Sequence, residues 1–81
     1  MELKILTPEK IMFEGEADLI SLPTPNGVIT VLPKHTFLVT ALSVGQVKIK
    51  TKEGDQSFSS SGGILEVSNN KAVILLRNYK K

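Results

Sequence analysis

The side chains that could carry hydrolytic chemistry are few. The sequence has one histidine, His35, and a nucleophile, base and orienting acid could be assembled on paper from Ser61, His35 and Asp55. Nothing in their spacing along the chain brings these three together. Serines clustered at 57–61 beside strand patterns are typical of turns and surfaces. The sequence therefore predicts no catalytic residues, a protein that is not an enzyme, and no small-molecule substrate.

Metal binding would have to rely on carboxylates, because the chain has no cysteine and a single histidine. The acidic residues Glu14, Glu16 and Asp18 are spaced so that strand alternation places them on one face. Such a row is typical of a solvated strand edge, and no calcium-loop spacing follows it. We expect no metal site.

A phosphate-binding loop is the third possibility, at Gly62 and Gly63. No GxxxxGK[ST] motif is present, and the pattern after the glycines at 64–67 is that of a strand. A nucleotide site of this kind needs a helix whose N-terminus faces the phosphate. We expect no cofactor, and we assign Gly62 and Gly63 to backbone geometry, where a bulge or a close approach of another strand requires glycine.

Lysines at positions 48, 50 and 52 alternate with Val47, Ile49 and Thr51, which predicts a half-buried strand with one solvated face. Such a stripe, on a chain of net charge +2, leaves an alternative function open: a small basic β-barrel that binds single-stranded nucleic acid. Base stacking would need aromatic side chains beside the lysines. The four aromatic residues lie elsewhere in the sequence: Phe13, Phe37, Phe58 and Tyr79.

The elements that position these residues are short strands separated by turns. Strand patterns occupy 3–7, 11–22, 28–32, 36–42, 47–52, 56–60, 64–67 and 72–76, with turn signals at 23–27, 53–55 and 69–70. No stretch shows a sustained helical period. We predict one all-β domain over 1–81, a small antiparallel β-sandwich or flattened barrel of about 8–10 short strands. The longest apolar run, 72–76, is too short to insert into a membrane.

Three stretches together resemble one family. They are LKILTPE with FEGE at 3–16, GVITVLPKHTFLVTAL at 27–42, and SGGILEVSNNKAVIL at 61–75. Their order and spacing are similar to those of the N-terminal β-sandwich domain of the epsilon subunit of rotary F-type ATP synthases. The resemblance covers nearly the whole chain.

The resemblance implies a non-catalytic central-stalk subunit of the rotor. It would link the gamma subunit to the c-ring, couple proton flow through the membrane sector to ATP synthesis, and lie peripherally on the cytoplasmic face of the bacterial inner (plasma) membrane. The implied gamma contacts are Thr7, His35, Thr40 and Leu42. The implied c-ring contacts are Pro25, Asn26, Gly27 and Val28. An exposed apolar patch is expected where gamma docks.

The sequence also departs from the family pattern. Lys34 and Phe37 replace the commoner glycine and proline around His35, and the 23–28 turn lacks the glutamates that many members have there. Typical members continue into a C-terminal helical hairpin that can inhibit ATP hydrolysis. Only Lys80 and Lys81 follow Tyr79, too few to form one, so neither the hairpin nor its inhibitory role is expected of this sequence as given.

Overall fold

The computed structural model describes residues 1–77, and these form seven β-strands. The strands are β1 (Glu2–Leu6), β2 (Ile11–Glu16), β3 (Leu19–Thr24), β4 (Gly27–Val31), β5 (Leu38–Thr51), β6 (Gly54–Ser68) and β7 (Lys71–Leu76). Within residues 1–77 there is no helix long and apolar enough to cross a bilayer. The predicted all-β class is confirmed.

The strands follow one another across a single sheet in the order β2-β1-β7-β6-β5-β3-β4. The long strands β5 and β6 are paired from Leu38 with Val67 to Thr51 with Gly54. Their two halves belong to different layers. The first layer contains β2, β1, β7, the second half of β6 and the first half of β5. The second layer contains β4, β3, the second half of β5 and the first half of β6.

One apolar core lies between the layers, because alternate residues of each strand point inward. Leu3 and Ile5 of β1 lie in the same buried cluster as Ile20 of β3 and Ile49 of β5. The complete buried apolar set is Met1, Leu3, Ile5, Ala17, Ile20, Leu22, Val31, Leu42, Val47, Ile49, Leu65, Val67, Ala72, Ile74 and Leu76. These are the inner faces of a flattened sandwich, as the pattern predicted.

Two details of the fold prediction are wrong. Residues 1–77 form seven strands and not eight to ten, because the patterns at 36–42 and 47–52 join in β5 and those at 56–60 and 64–67 join in β6, while the 11–22 pattern divides into β2 and β3. The glycines between them bend continuous strands and do not end them. The sheet is also not purely antiparallel, since β1 and β7 are parallel. A parallel pair needs a long connection, here most of the chain, and local patterns do not reveal such a pairing.

The hairpin of β5 and β6 crosses from one layer to the other, and the alternation of buried residues shifts by one position at the crossing. In β5 the buried residues change from Leu42 to Val47 and Ile49, an even position followed by odd ones. The Ser60 hydroxyl is buried at this crossing, where it donates to the Ser43 carbonyl at 2.9 Å. The same hydroxyl accepts a hydrogen bond from the Gly62 amide at 3.0 Å. These bonds satisfy polar groups that the crossing would otherwise leave unpaired.

Candidate functional site

An apolar row crosses the outer face of the first layer. Strand register aligns its five members side by side on five strands: Ile11 (β2), Leu6 (β1), Leu75 (β7), Ile64 (β6) and Ala41 (β5). Ile11 is 53% exposed, Ile64 50% and Leu75 47%. Large apolar side chains that lie adjacent and exposed are the usual mark of an interaction surface. We call these five residues the apolar row.

Three charged side chains and two valines border the apolar row on one side. The neighbouring register positions are Glu14, Lys4, Val73, Glu66 and Val39. Lys4 and Glu14 form an ion pair, with the Lys4 Nζ 3.6 Å from the nearest Glu14 carboxylate oxygen. An apolar centre with a charged rim is the usual composition of a protein–protein interface.

Thr7 lies where the apolar row meets a surface hollow of about 490 Å³. Its hydroxyl accepts hydrogen bonds from the amides of Glu9 and Lys10, at 3.3 and 3.2 Å, and so fixes the β1–β2 turn. Apolar residues of three strands line the hollow: Leu6, Ile11, Leu75 and Leu76, with Pro8 of the turn. The hollow is open to a side chain of a partner.

His35 lies at the opposite end of the first layer, in the loop between β4 and β5. Its ring nitrogen Nδ1 is 2.7 Å from the Thr36 carbonyl. The neighbouring Lys34 amide donates to the Asn70 side chain at 2.7 Å, which fastens the loop to the β6–β7 turn. His35 and Phe37 line a second hollow of about 630 Å³ there. The structure therefore does not bring Thr7 and His35 together.

Thr40 and Leu42, the other two predicted gamma contacts, occupy inner positions of β5. Leu42 is only 5% exposed and belongs to the core. Thr40 is opposite Leu65, which is fully buried. The outward-facing residues next to them on β5 are Val39 and Ala41. The exposed surface of this segment of β5 is therefore formed by Val39 and Ala41, and not by Thr40 and Leu42.

The four predicted c-ring contacts form the β3–β4 turn, and all four are exposed. The Thr24 hydroxyl donates to the Gly27 carbonyl at 2.6 Å and accepts from the Asn26 amide at 3.2 Å. Gly27 has a φ of 115°, a conformation that L side chains rarely adopt. The Thr24 hydrogen bonds and the positive φ of Gly27 therefore fix the direction in which Pro25, Asn26 and Val28 project from the turn.

Gly63 lies where β6 passes close to β7. A Cβ at this position would collide with the carbonyl oxygen of Leu75, and φ is 158°. At Gly62 a Cβ would come 2.9 Å from Cδ of Arg77, a side chain that can move. The predicted strand after these glycines is confirmed, since β6 continues through them to Ser68. Among residues 1–77 no helix presents its N-terminus to them.

The residues considered for catalysis are far apart. Asp55 and Ser61 are both on β6, six positions apart, which corresponds to roughly 20 Å along an extended strand. His35 lies beside the β6–β7 turn. Of the acidic residues, Glu14 pairs with Lys4, and no group of three potential ligands that could hold a metal ion is found within residues 1–77.

The lysine stripe lies on the outer face of the second layer. Lys48 is opposite Ser57 and Ser21, and Ser21 is opposite Thr30, so the row across this face is polar. Phe13 and Phe58 pack edge to face away from it, with ring centroids 6.3 Å apart, and Phe37 lies in the loop after β4. Tyr79 lies outside the described residues. Base stacking beside the lysines therefore has no support in the described structure.

Comparison with known proteins assigns a family to this sandwich. Residues 1–80 match the family described as ATP synthase, Delta/Epsilon chain, beta-sandwich domain. This chain belongs to that family. An ATP synthase epsilon chain of Prochlorococcus marinus (strain MIT 9312) is 35% identical over 78 residues, which cover 96% of this chain and 58% of the relative. The chain spans between 54% and 58% of the length of the first curated relatives that it matches.

Two solved structures share the fold of this epsilon-family domain. A chain of the Euglena gracilis mitochondrial ATP synthase, solved as OSCP/F1/c-ring in rotational state 1, has a TM-score of 0.84 at 22% identity. That match covers 91% of this chain and 48% of the other. A chain of the Tetrahymena thermophila mitochondrial ATP synthase central stalk/c-ring has a TM-score of 0.81 at 20% identity and covers 95% and 63%.

The five residues of the apolar row were not among the contacts predicted from the family resemblance, although the sequence contains a signal for them. The run AVILL at 72–76 is apolar at every position, whereas a strand with one solvated face alternates. Such a run is typical of a strand that is covered on both faces, which for β7 includes the outer face. The strict alternation of 47–50 is typical of a strand whose outer face is solvated, as in the second half of β5.

Proposed function

We propose that this chain is a non-catalytic rotor subunit of an ATP synthase, which links the gamma subunit to the c-ring and so couples proton flow to ATP synthesis. Family membership over residues 1–80 supports the assignment to an ATP synthase. The observation that supports the coupling role is the apolar row, an exposed apolar surface on a two-layered sandwich. A close-packed interior transmits strain, which a torque-bearing part requires.

We assign the apolar row to gamma. Its centre is apolar and one border carries Glu14, Lys4 and Glu66, in keeping with the apolar core and polar rim of protein–protein interfaces. The hollow beside Thr7 would accept an apolar side chain of gamma, and the hollow beside His35 would receive a second contact at the far end of the layer. Thr40 and Leu42 would act from the inner side, by holding Val39 and Ala41 in place.

We assign the β3–β4 turn to the c-ring. The turn projects Pro25, Asn26 and Val28 without any charged residue, and Thr24 fixes its shape. Contact there would depend on shape and on Val28, which is 72% exposed, and not on ion pairs. In this position the domain would be peripheral to the membrane, on the cytoplasmic face of the inner (plasma) membrane in a bacterium.

Co-elution with gamma tests the proposal. Wild-type protein should elute together with the gamma subunit of the same organism, and Leu75→Asp should weaken that association at least tenfold. The reason is that burying an unpaired carboxylate in an apolar contact is costly. Val44→Asp is the matched control, because Val44 is 79% exposed and lies outside the apolar row.

The two variants distinguish the possible failures. Folded wild type that does not bind gamma contradicts the coupling role. Equal loss in Leu75→Asp and Val44→Asp contradicts the assignment of gamma to the apolar row.

A further inference from the structure

β4 is an edge strand with one neighbour. In residues 1–77 it pairs only with β3, from Ile20 with Val31 to Thr24 with Gly27. One side of Gly27–Val31 therefore presents backbone N–H and C=O groups to the outside. Such a row is a template for another strand.

The two edges of the sheet differ in how they are protected. β2 has Glu14 and Glu16, and its pairing with β1 is irregular between Ile5 and Leu6. Charges and irregular pairing both discourage the addition of a strand. β4 has neither a charge nor a proline, and its last four residues, Val28 to Val31, are all β-branched. Of the two terminal strands in the sheet order, β4 is therefore the one without charges or irregular pairing.

Apolar side chains flank the β4 edge. Val28 is 72% exposed and Leu32 53%. They lie near the start of the strand and just after its end. A strand paired along β4 would cover part of this surface, so apolar burial would add to the backbone hydrogen bonds.

We propose that the β4 edge binds the β4 edge of a second copy of this chain, antiparallel and about a two-fold axis. Such an interface is isologous, so the strand must complement itself. Pairing centred on Ile29 places Val28 opposite Thr30 of the other copy, with no like charges facing each other. The same operation on β2, centred on Gly15, would place Glu14 opposite Glu16.

The pairing joins the second layers of two copies into one continuous sheet and leaves both apolar rows open. Its contact area is small, so the dissociation constant is on the order of 100 µM. Gly27 and Val28 belong to both this interface and the c-ring contact, a consequence that rests on the proposed function. Docking on the ring would therefore compete with self-association of free subunits.

Sedimentation velocity over a concentration series tests the pairing. Wild-type protein should shift from monomer to dimer as concentration rises. Thr30→Lys and Val28→Lys should each weaken the dimer at least tenfold, because each places a charge on the edge. Leu75→Lys, in the apolar row, and Val44→Lys, at a position 79% exposed, should dimerise like wild type. Thermal melts establish that each variant is folded.

Amide hydrogen exchange gives a second readout. Exchange within Gly27–Val31 should slow as wild-type concentration rises and stay constant in Thr30→Lys. A wild type that remains monomeric throughout overturns the proposal, as does a dimer that Leu75→Lys dissolves and Thr30→Lys does not. Neither result bears on gamma binding, which the Leu75→Asp variant reports separately.

Discussion

The outer faces of the two layers are built on one core and yet are opposites. Across the first layer the register aligns Ile11, Leu6, Leu75, Ile64 and Ala41. Across the second layer it aligns Ser57, Lys48, Ser21 and Thr30. The fold needs neither set, because both point away from the core. The difference is that a row of apolar side chains crosses the outer face of one layer, whereas the corresponding row of the other layer is polar.

The largest expected effect is on the free energy of unfolding, and it distinguishes a core residue of β7 from its neighbour in the apolar row. Ile74 is fully buried, and Ile74→Ala should lower the free energy of unfolding by about 2–5 kcal/mol through lost burial and a cavity. Leu75→Ala, one residue along the same strand, should cost less than about 1 kcal/mol. Urea denaturation of the two variants measures both values. Equal losses would mean that Leu75 serves the fold, and the contrast between the faces would fail.

The inner faces were predictable from the sequence, and the pairing was not. Alternation in 47–50 correctly indicated Val47 and Ile49 inside with Lys48 and Lys50 outside, because period-two patterning directly records which face is buried. The joining of β5 and the parallel contact of β1 with β7 depend on packing between distant segments, which no local window contains.

The candidate site was predictable only in part, for a similar reason. Resemblance to a family supplied Thr7, His35, Thr40 and Leu42 one at a time, without their directions. The burial of Leu42 and the separation of Thr7 from His35 come from strand register. The members of the apolar row are scattered in the sequence, and they lie side by side only because the strand register aligns five strands.

A smaller effect concerns the loop that joins the second layer to the first. Lys34 has a φ of 66°, in the left-handed region where glycine is favoured. Lys34→Gly should raise the free energy of unfolding by about 0.5–1 kcal/mol, since relief of the strain exceeds the added entropy of the unfolded chain. Thr36→Gly, in the same loop without a positive φ, should lower it by about 0.5–1 kcal/mol. A decrease for Lys34→Gly in chemical denaturation would refute this explanation.

Accessibility of single cysteines in the assembled ATP synthase tests the central claim most directly. The sequence has no cysteine, so Leu75→Cys, Asn26→Cys and Ser57→Cys each introduce one reactive thiol, in the apolar row, in the β3–β4 turn and on the polar face. All three should react with a maleimide in the free domain. In the assembled enzyme, positions 75 and 26 should be protected while position 57 continues to react. Protection at 57 with free reaction at 75 would contradict the account.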